Sequence, residues 1–303
     1  MTEVGDAGTG GPAVTALARS RVAVARPRRW RARTSRWLLY APLILWSAAT
    51  IWPFAFLALL SVRSLNDLYL HPFSLPHTWA WANYAAAWTG AHVARYALNS
   101  AIVSVGTTLL VLLTATPAAF ALSRFSFRGR GLIWSFILLG MFIPALTELV
   151  PIVIIAHDLH IDNSLQGLIL IYAGGGIPFA VFLIATFMRS LPVELEEVAV
   201  VDGASTWRVF REVMVPLSRP ALITVATFTM LDSWAEYIIA RLLITSPNRE
   251  TLPLGLSGLM DQYSTQIPTY AAGVVIAITP AVAMFVFLQR YVVSGLTDGA
   301  IRA

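Results

Sequence analysis

Six apolar stretches dominate this chain of 303 residues, and each is long enough to cross a bilayer. A helix needs about 20 residues to span the roughly 30 Å hydrocarbon core of a membrane. Hydrophobic residues make up 57% of the chain and charged residues only 12%, which excludes an ordinary soluble domain. The stretches are apolar all round, which favours helices over the alternating strands of a membrane barrel. We therefore predict an all-α membrane protein whose six transmembrane helices lie near 37–62, 97–122, 132–155, 165–187, 218–243 and 270–293.

The basic residues are unevenly distributed, and all 21 of them are arginine. The six predicted spans place 17 arginines on the side of both termini and 4 on the opposite side. Because cytoplasmic loops carry an excess of Lys and Arg, both termini and the loop 189–217 are expected in the cytoplasm. Residues 1–36, which contain eight arginines and lack periodicity, are expected to be a disordered cytoplasmic tail. Residues 37–303 form the membrane domain, and no nucleic-acid partner is expected.

Two of the predicted spans contain residues that interrupt helices. Pro144 and Pro151 flank Glu148 in the third span, and Gly174-Gly175-Gly176 precedes Pro178 in the fourth. Broken helices survive in membranes where protein or water satisfies the freed backbone groups, and they commonly lie beside a substrate path. Small residues also suit close helix packing, so this pattern is compatible with either role.

Three acidic side chains, Glu148, Asp232 and Glu236, lie within or near the predicted spans. A charged side chain at the centre of a span costs about 2.5–3.5 kcal/mol on insertion scales, and it usually faces the bundle interior or a wet cavity. On a continuous helix, residues four apart share a face, as Asp232 and Glu236 would. Carboxylates accept hydrogen bonds from sugar hydroxyls, and aromatic rings cover the apolar faces of sugars. The candidates for a solute path are Glu148, Asp232, Trp234, Glu236 and Tyr237. Pairing of the acids with Arg or with a partner subunit is the alternative.

The sequence lacks the patterns that catalysis or cofactor binding would require. It contains no GxxxxGK[ST], so a P-loop for ATP is absent, and it has no cysteine for a thiolate site. A Ser/His/Asp arrangement cannot be identified. We therefore expect no catalytic residue, no metal site and no cofactor bound by this chain.

A segment between the fourth and fifth spans, residues 197–216, reads EVAVVDGASTWRVFREVMVP. Asp202-Gly203 is a turn signal, because glycine readily adopts a positive φ. A short helix is expected on each side of this turn, the second from about Ala204 to Val215. An apolar ridge would run along the second helix, and a proline would end it; these residues are Trp207, Phe210, Met214 and Pro216. Such a ridge either docks onto another protein or lies on the lipid surface.

The spacing within this segment resembles the EAA loop of permease subunits in binding-protein-dependent ABC importers. The family pattern is Glu-Ala-Ala, three residues, Gly, nine residues, Ile-x-Leu-Pro. Here Glu197-Val198-Ala199 precedes Gly203, and Val213-Met214-Val215-Pro216 completes the pattern. The resemblance implies a coupling helix that fits a cleft in a cytoplasmic ATPase. The residues it implicates are Glu197, Ala199, Asp202, Gly203, Ala204, Trp207, Phe210, Met214 and Pro216.

The end of the chain narrows the resemblance to carbohydrate permeases. Residues 295–300, Gly-Leu-Thr-Asp-Gly-Ala, resemble the Gly-Leu-Thr-x-Gly-Ala ending of maltose-type permeases. Trp234-Ala235-Glu236 stands where this family has Trp-Asn-Asp/Glu, so the role of that Asn does not transfer. The resemblance is to the maltose/trehalose/glycerol-phosphate group and implies the permease architecture of an ABC type I importer.

The resemblance also implies a function and a set of partners. The chain would be a non-enzymatic permease subunit that carries a di- or oligosaccharide, or a sugar derivative, across a bacterial plasma membrane. Its partners would be a second permease, two ATPase subunits that use ATP and Mg, membrane lipid, and a lipid-anchored or periplasmic solute-binding protein. A non-sugar solute such as glycerol phosphate or a peptide is an open alternative, as is an ion-coupled carrier that uses the acids.

The arginine asymmetry predicts the topology. Reporter fusions after Arg36, Arg130 and Arg211 should report cytoplasm, as should a fusion after the last residue, Ala303. Fusions near Thr78, Asp162 and Ser257 should report the outside. A cytoplasmic signal at Asp162 would contradict the six-span topology, because that loop joins the third and fourth spans.

Overall fold

A computed structural model describes residues 31–72, 74–262 and 266–300 of the chain, with side chains described outside 31–39, 145, 260–262 and 288–300. Within these ranges the regular elements are all helical, so the all-α prediction is confirmed. The α-helices are α1 (Arg31–Ser61), α2 (Leu65–Leu70), α3 (Ala82–Ala85), α4 (Val93–Arg124), α5 (Arg130–Leu139), α6 (Ala145–Asp158), α7 (Leu165–Ser190), α8 (Glu194–Val201), α9 (Thr206–Arg208), α10 (Val215–Leu217), α11 (Arg219–Ala235), α12 (Ile238–Leu243), α13 (Leu252–Gln262) and α14 (Ile267–Ala300). Short π-helical or 3-10 segments follow α3, α5, α9 and α12, at Ala86–Gly90, Gly140–Phe142, Val209–Met214 and Pro247–Arg249.

Four of the described helices are long and apolar enough to cross a membrane. The number rises to six if each of two bent helix pairs is counted as one span. One pair joins Arg130–Phe142 to Leu146–Asp158, and the other joins Thr206–Leu217 to Arg219–Ala235 at an angle of 72°. The chain is therefore a multi-pass membrane protein.

The chain divides into two compact units, residues 1–53 and residues 54–303. The described part of the first unit is α1 as far as Pro53, which lies inside the helix. Helix α1 begins at Arg31, within the last six residues of the predicted tail. Residues 1–30 of the predicted tail lie outside the described residues.

Helices α4 and α7 form the centre of the second unit. Their contact is lined by small residues that are completely buried, among them Ala115, Ala119, Ala173, Ala180 and Ala185. In a membrane, small side chains let two helix backbones approach closely, and van der Waals contacts then hold them together. Helix α11 packs against α4, and α14 packs against α11.

Helix α7 is continuous, so the predicted interruption of the fourth span is wrong. Gly174, Gly175, Gly176 and Pro178 all lie inside the helix. A Cβ at Gly176 would lie 3.3 Å from Val111 of α4, whereas a Cβ at Gly174 or Gly175 would meet open space. One of the three glycines therefore serves helix packing, and the other two leave room beside the helix.

The third predicted span does break. After α5, the short 3-10 segment Gly140–Phe142 leads to Ile143 and Pro144 in extended conformations, and α6 then begins. Pro144 has no N–H, so this break leaves one fewer donor to satisfy. The Pro144 carbonyl accepts hydrogen bonds from both the backbone N–H and the hydroxyl of Thr147. Pro151, in contrast, lies inside α6.

The loop that follows α1 is held by a buried ion pair. The Arg63 guanidinium is buried, and its Nε donates to Asp67 Oδ2 at 3.1 Å. His77 Nδ1 lies 2.7 Å from Asp67 Oδ1, and the Asn83 amide donates to the carbonyls of Ser61 and Arg63. The His77 hydrogen bond and the Arg63 guanidinium hold the pKa of Asp67 below its usual value. The loop is thus fixed to the end of α1.

Two exposed tryptophans lie beside the end of α1. The Ala80 N–H donates to the Val62 carbonyl at 2.7 Å, which places its neighbours beside the end of α1. Trp79 and Trp81 are stacked with ring centroids 6.1 Å apart, and both are exposed. Tryptophan at the end of a span is typical of the boundary between membrane and water.

The first turn of α7 contains a glycine that cannot be enlarged. The Gly167 N–H donates to the Ser164 hydroxyl that caps the helix, and a Cβ at Gly167 would lie 1.9 Å from the Ile161 carbonyl oxygen. Gly167→Ala should therefore destabilise the protein by at least the 1–3 kcal/mol that is roughly typical of overpacking. Thermal unfolding of the purified protein in detergent measures this effect. Gly174→Ala in the same helix is the control, since its Cβ meets no atom within 4 Å. Equal midpoints for the two variants would contradict the packing described here.

Candidate functional site

A cavity of about 700 Å³ opens between α6, α7 and α11. This volume is within the range of roughly 300–1,000 Å³ that small-molecule sites occupy. Gly174 and Gly175 lie on its wall, where the absence of side chains gives it room. The broken span contributes Gly140 and Met141 at the end of α5. The interruption in the third span therefore borders a cavity, one of the two roles that its sequence suggested.

Three of the five predicted path residues line this cavity: Glu148, Asp232 and Glu236. Asp232 and Glu236 do not share one helical face as predicted, because α11 ends at Ala235 and Glu236 is extended, with φ −66° and ψ 132°. Asp232 lies on the last turns of α11, whereas Glu236 lies in the break before α12. The common-face prediction is wrong because the fifth span is not one continuous helix.

The two predicted aromatic residues lie elsewhere. Trp234 is buried, and its Nε1 donates to the Ala277 carbonyl of α14 at 3.1 Å. Tyr237 does not belong to the cavity lining. Both residues follow Asp232 closely in sequence, but the helix turns Trp234 towards α14 and the break comes before Tyr237.

Other aromatic rings line the cavity in their place. Phe179 of α7 and Phe228 of α11 meet edge to face, with ring centroids 5.8 Å apart. Tyr172 also lines the cavity and lies about two turns before Phe179 on α7. Thr229 and Ser233 also contribute to the lining. Sequence reasoning missed these residues because phenylalanine is common in any membrane span. The available signal was the seven-residue spacing from Tyr172 to Phe179, which places both on the face that carries Gly175 and Gly176.

The acids in the cavity differ in their bonding. Asp232 and Glu148 have no hydrogen-bond or ion-pair partner among the described residues. The Glu236 carboxylate already accepts three hydrogen bonds. Tyr172 Oη donates to it at 2.5 Å, the Ile239 N–H at 2.7 Å and the Ala240 N–H at 3.1 Å. Asp232 and Glu148 are thus available to a solute, and Glu236 is already occupied.

A second candidate site lies in the loop between α7 and α11. Helix α8 ends at Val201, Gly203 follows with φ +81°, and the helical segment Thr206–Leu217 then begins. This left-handed conformation favours glycine, as the sequence predicted. Pro216 lies in the last turn of this segment, which ends at Leu217 and meets α11 at an angle of 72°, so the proline marks the end of the helix as predicted. We call residues 194–217 the elbow.

Half of the elbow is built into the bundle. Phe210 is 9% exposed and Met214 1% exposed, and both belong to the cluster formed by α4 and α7. Ala199 and Ala204 pack against the same cluster. The prediction of an unpartnered ridge through Trp207, Phe210 and Met214 is therefore wrong for two of its three residues. Residues of neighbouring helices, which a single loop sequence cannot show, cover them.

The exposed half of the elbow carries a different apolar stripe. Val198 is 63% exposed, Val201 86% and Trp207 66%, and Leu195 lies on the same face of α8. Leu195, Val198 and Val201 recur every three residues, the spacing of one helical face. Glu197, Asp202 and Gly203 are exposed beside them. We call Leu195, Val198, Val201 and Trp207 the exposed stripe.

One arginine fixes the elbow to the bundle, and a second joins α7 to α4 and α5 beside it. Arg124, at the end of α4, forms an ion pair with Glu196 of α8, and both side chains are nearly buried. The Arg124 guanidinium also donates to the Leu191 carbonyl at 3.0 Å. Arg189 of α7 donates to the Leu122 carbonyl, and its guanidinium lies 4.2 Å from the centre of the Trp134 ring. Glu196 was missed by sequence reasoning, because its neighbours Glu194 and Glu197 offer equal charge and only the fold selects among them.

Comparison with known proteins shows which family the chain belongs to. Residues 112–298 match the family described as "Binding-protein-dependent transport system inner membrane component". The diacetylchitobiose uptake system permease protein NgcG of Streptomyces coelicolor is 34% identical over 93% of each chain. The galactooligosaccharides transport system permease protein GanQ of Bacillus subtilis is 35% identical over 68% of this chain and 73% of that protein.

A solved structure shares the fold. The chain resembles a subunit in the crystal structure of a bacterial ABC transporter involved in the import of the acidic polysaccharide alginate, with a TM-score of 0.75. The match covers 88% of this chain and 98% of that one at 21% identity, which establishes the fold alone. From the family match and the extent of the curated similarities, this chain belongs to the inner membrane components of binding-protein-dependent transport systems.

Proposed function

We propose that this chain is a permease subunit of an ABC importer that carries a neutral oligosaccharide across the bacterial plasma membrane. The cavity between α6, α7 and α11 is its half of the solute path. Relatives named for the uptake of diacetylchitobiose and of galactooligosaccharides support a sugar solute. A second permease subunit completes the path, and two ATPase subunits, which bind the ATP and Mg, drive the cycle. A solute-binding protein outside the membrane delivers the sugar.

The chemistry of the cavity carries this proposal. Its lining combines free carboxylates, Asp232 and Glu148, with the rings of Phe179 and Phe228. Carboxylates accept hydrogen bonds from hydroxyl groups, and aromatic rings cover the C–H faces of a sugar. Specific small-molecule sites typically combine a mainly apolar wall with a few polar groups that fix orientation.

The charge of the lining favours a neutral solute over an anion. The cavity lining contains three acidic side chains, those of Glu148, Asp232 and Glu236. Among the described residues that line the cavity there is no Arg, Lys or His. An anion such as glycerol phosphate would meet like charge in a medium of low dielectric constant, which is unfavourable. The charge of the lining therefore supports the sugar over the phosphorylated solute that the sequence left open.

The elbow is the proposed contact with an ATPase. The exposed stripe of the elbow is apolar, and the buried half of the elbow packs against α4 and α7. A displacement of the stripe would therefore reach the helices that line the cavity, through Phe210, Met214 and the Arg124–Glu196 ion pair. The arginine excess at this end of the bundle supports a cytoplasmic position for the elbow and both termini.

A charge in the exposed stripe should prevent ATPase binding. In Val201→Asp the new carboxylate would be buried without a partner in the complex, which costs roughly several kcal/mol. We expect at least a tenfold loss of co-purified ATPase subunit, because each 1.4 kcal/mol changes binding about tenfold. Quantitative immunoblotting of the purified complex measures the ratio of subunits.

Val201→Ile is the matched control, since it keeps the apolar surface, and its subunit ratio should equal that of wild type. Retention of the ATPase by Val201→Asp would show that the exposed stripe is not the contact.

Asp232 should contribute to transport without contributing to assembly. Asp232→Asn keeps the shape of the side chain but removes the charge, and bonds to charged groups contribute about 1.5–3 kcal/mol against 0.5–1.5 for neutral ones. We expect uptake of labelled diacetylchitobiose by proteoliposomes to fall about 3- to 10-fold, the equivalent of roughly 1 kcal/mol.

Asp158→Asn, at the exposed end of α6 and outside the cavity, should leave uptake unchanged. Galactooligosaccharide and glycerol phosphate are assayed in parallel to test the solute class. Uptake of glycerol phosphate in preference to both sugars would contradict a neutral solute, and full activity of Asp232→Asn would remove Asp232 from the path.

A further inference from the structure

The Glu236 carboxylate lines the proposed solute path, but its hydrogen bonds are all made within the protein. Its Oε1 accepts a hydrogen bond from the Ile239 N–H at 2.7 Å. Its Oε2 accepts one from the Ala240 N–H at 3.1 Å and one from the Tyr172 hydroxyl at 2.5 Å. The carboxylate thus connects the backbone of α12 to a side chain of α7.

These bonds satisfy a need that the break in the fifth span creates. The first N–H groups of a helix have no partner within it, and α12 begins immediately after the break. In a hydrocarbon environment each unsatisfied backbone group costs roughly several kcal/mol. With 17 residues, α11 spans about 26 Å at 1.5 Å per residue, so the break falls within or close to the membrane. Glu236 supplies the acceptors that α12 lacks.

The break also separates two packing environments. On its α11 side, Trp234 packs with residues of α13 and α14 and donates to Ala277. On its α12 side, Ala240 and Leu243 pack with Ala156 of α6 and with α7. Residues Glu236 and Tyr237 therefore form a joint at which the cavity wall passes from one group of helices to another.

Tyr172 is placed to hold this joint. It lies on α7, beside the buried Ala173 and close to Gly174 and Gly175 of the cavity wall. Its hydroxyl is the side-chain donor of α7 to Glu236. Movement of α12 away from α7 would break this bond, while the two backbone bonds of the cap would persist.

We propose that Glu236 and Tyr172 are a positioning pair that sets the angle of the joint between α11 and α12 during transport, and that Glu236 is not a ligand of the solute. The proposal rests on the transport function proposed above. The pair holds the start of α12 against α7, beside the cavity that Asp232 and Glu148 line. Loss of the Tyr172 bond releases the joint without uncapping α12.

Removal of the Tyr172 hydroxyl, followed by measurement of the uptake kinetics, tests the positioning role. Tyr172→Phe is compared with wild type in proteoliposomes of the assembled importer, with labelled diacetylchitobiose and its binding protein. We expect the maximal uptake rate to fall about 3- to 10-fold, which is the range of a typical intramolecular hydrogen bond. The half-saturating concentration of loaded binding protein and the subunit ratio should not change.

Tyr270→Phe is the matched control, because it removes a hydroxyl from another helix, α14, outside the cavity lining. An unchanged maximal rate in Tyr172→Phe would overturn the proposal. So would a change confined to the half-saturating concentration, which is the result expected of a solute ligand.

Amide hydrogen exchange tests the same pair without any solute. In Glu236→Ala the Ile239 and Ala240 amides should exchange at least tenfold faster than in wild type, whereas Tyr172→Phe should leave them protected. Glu236→Gln, with a single carbonyl oxygen, should be intermediate. Asp232→Asn is the control and should not alter exchange at these amides.

The two measurements separate failure of the pair from failure of the proposed function. If wild type imports none of the sugars tested, the proposed solute is wrong, and the exchange experiment still decides whether Glu236 caps α12. If Glu236→Ala leaves both amides protected, the positioning role is wrong even in a complex that transports sugar normally. The double variant Tyr172→Phe/Glu236→Gln tests whether the two residues act together. If its loss of uptake equals the product of the two single losses, the residues act independently and the proposed pair is wrong.

Discussion

A chain that unwinds inside a membrane must satisfy its freed N–H and C=O groups from within the protein. Both breaks in this structure meet that requirement locally. At the first break Pro144 brings no N–H, and its carbonyl accepts from Thr147. At the second, Glu236 accepts from the two amides that begin the next helix. Both breaks border the cavity, and at each of them freed backbone groups find hydrogen-bond partners within the protein.

The pairing of α4 with α7 provides the rigid side of this cavity. Fully buried alanines at their contact bring the backbones together, and Gly176 lies against Val111. The neighbouring Gly174 and Gly175 have no such contact and face the open space. A single run of three glycines thus serves two purposes: Gly176 allows close packing against α4, and all three glycines leave volume for the cavity that they line.

The sequence predicted the class of fold and the position of the elbow turn, because both depend on local properties. Apolar length identifies spans, and a glycine after a short helix identifies a left-handed turn, as at Gly203. The same local reasoning was wrong where tertiary contacts decide. It assigned Phe210 and Met214 to an outer surface, although helices distant in sequence cover them. It placed Asp232 and Glu236 on one helix, although the acid itself stabilises the break between them. Trp234 and Tyr237 were assigned to the path from proximity in sequence, which the rotation of α11 and the break overturn.

The division of the elbow between a buried and an exposed half places its residues under two separate constraints. A substitution at Ala199, Phe210 or Met214 alters contacts within this chain, so its compensation would arise in α4 or α7. A substitution at Val198, Val201 or Trp207 alters only the surface that another polypeptide would meet. In a permease that shares its ATPase with other importers, the exposed residues could change only as far as that common subunit tolerates, while the buried ones would remain free to vary with their own bundle.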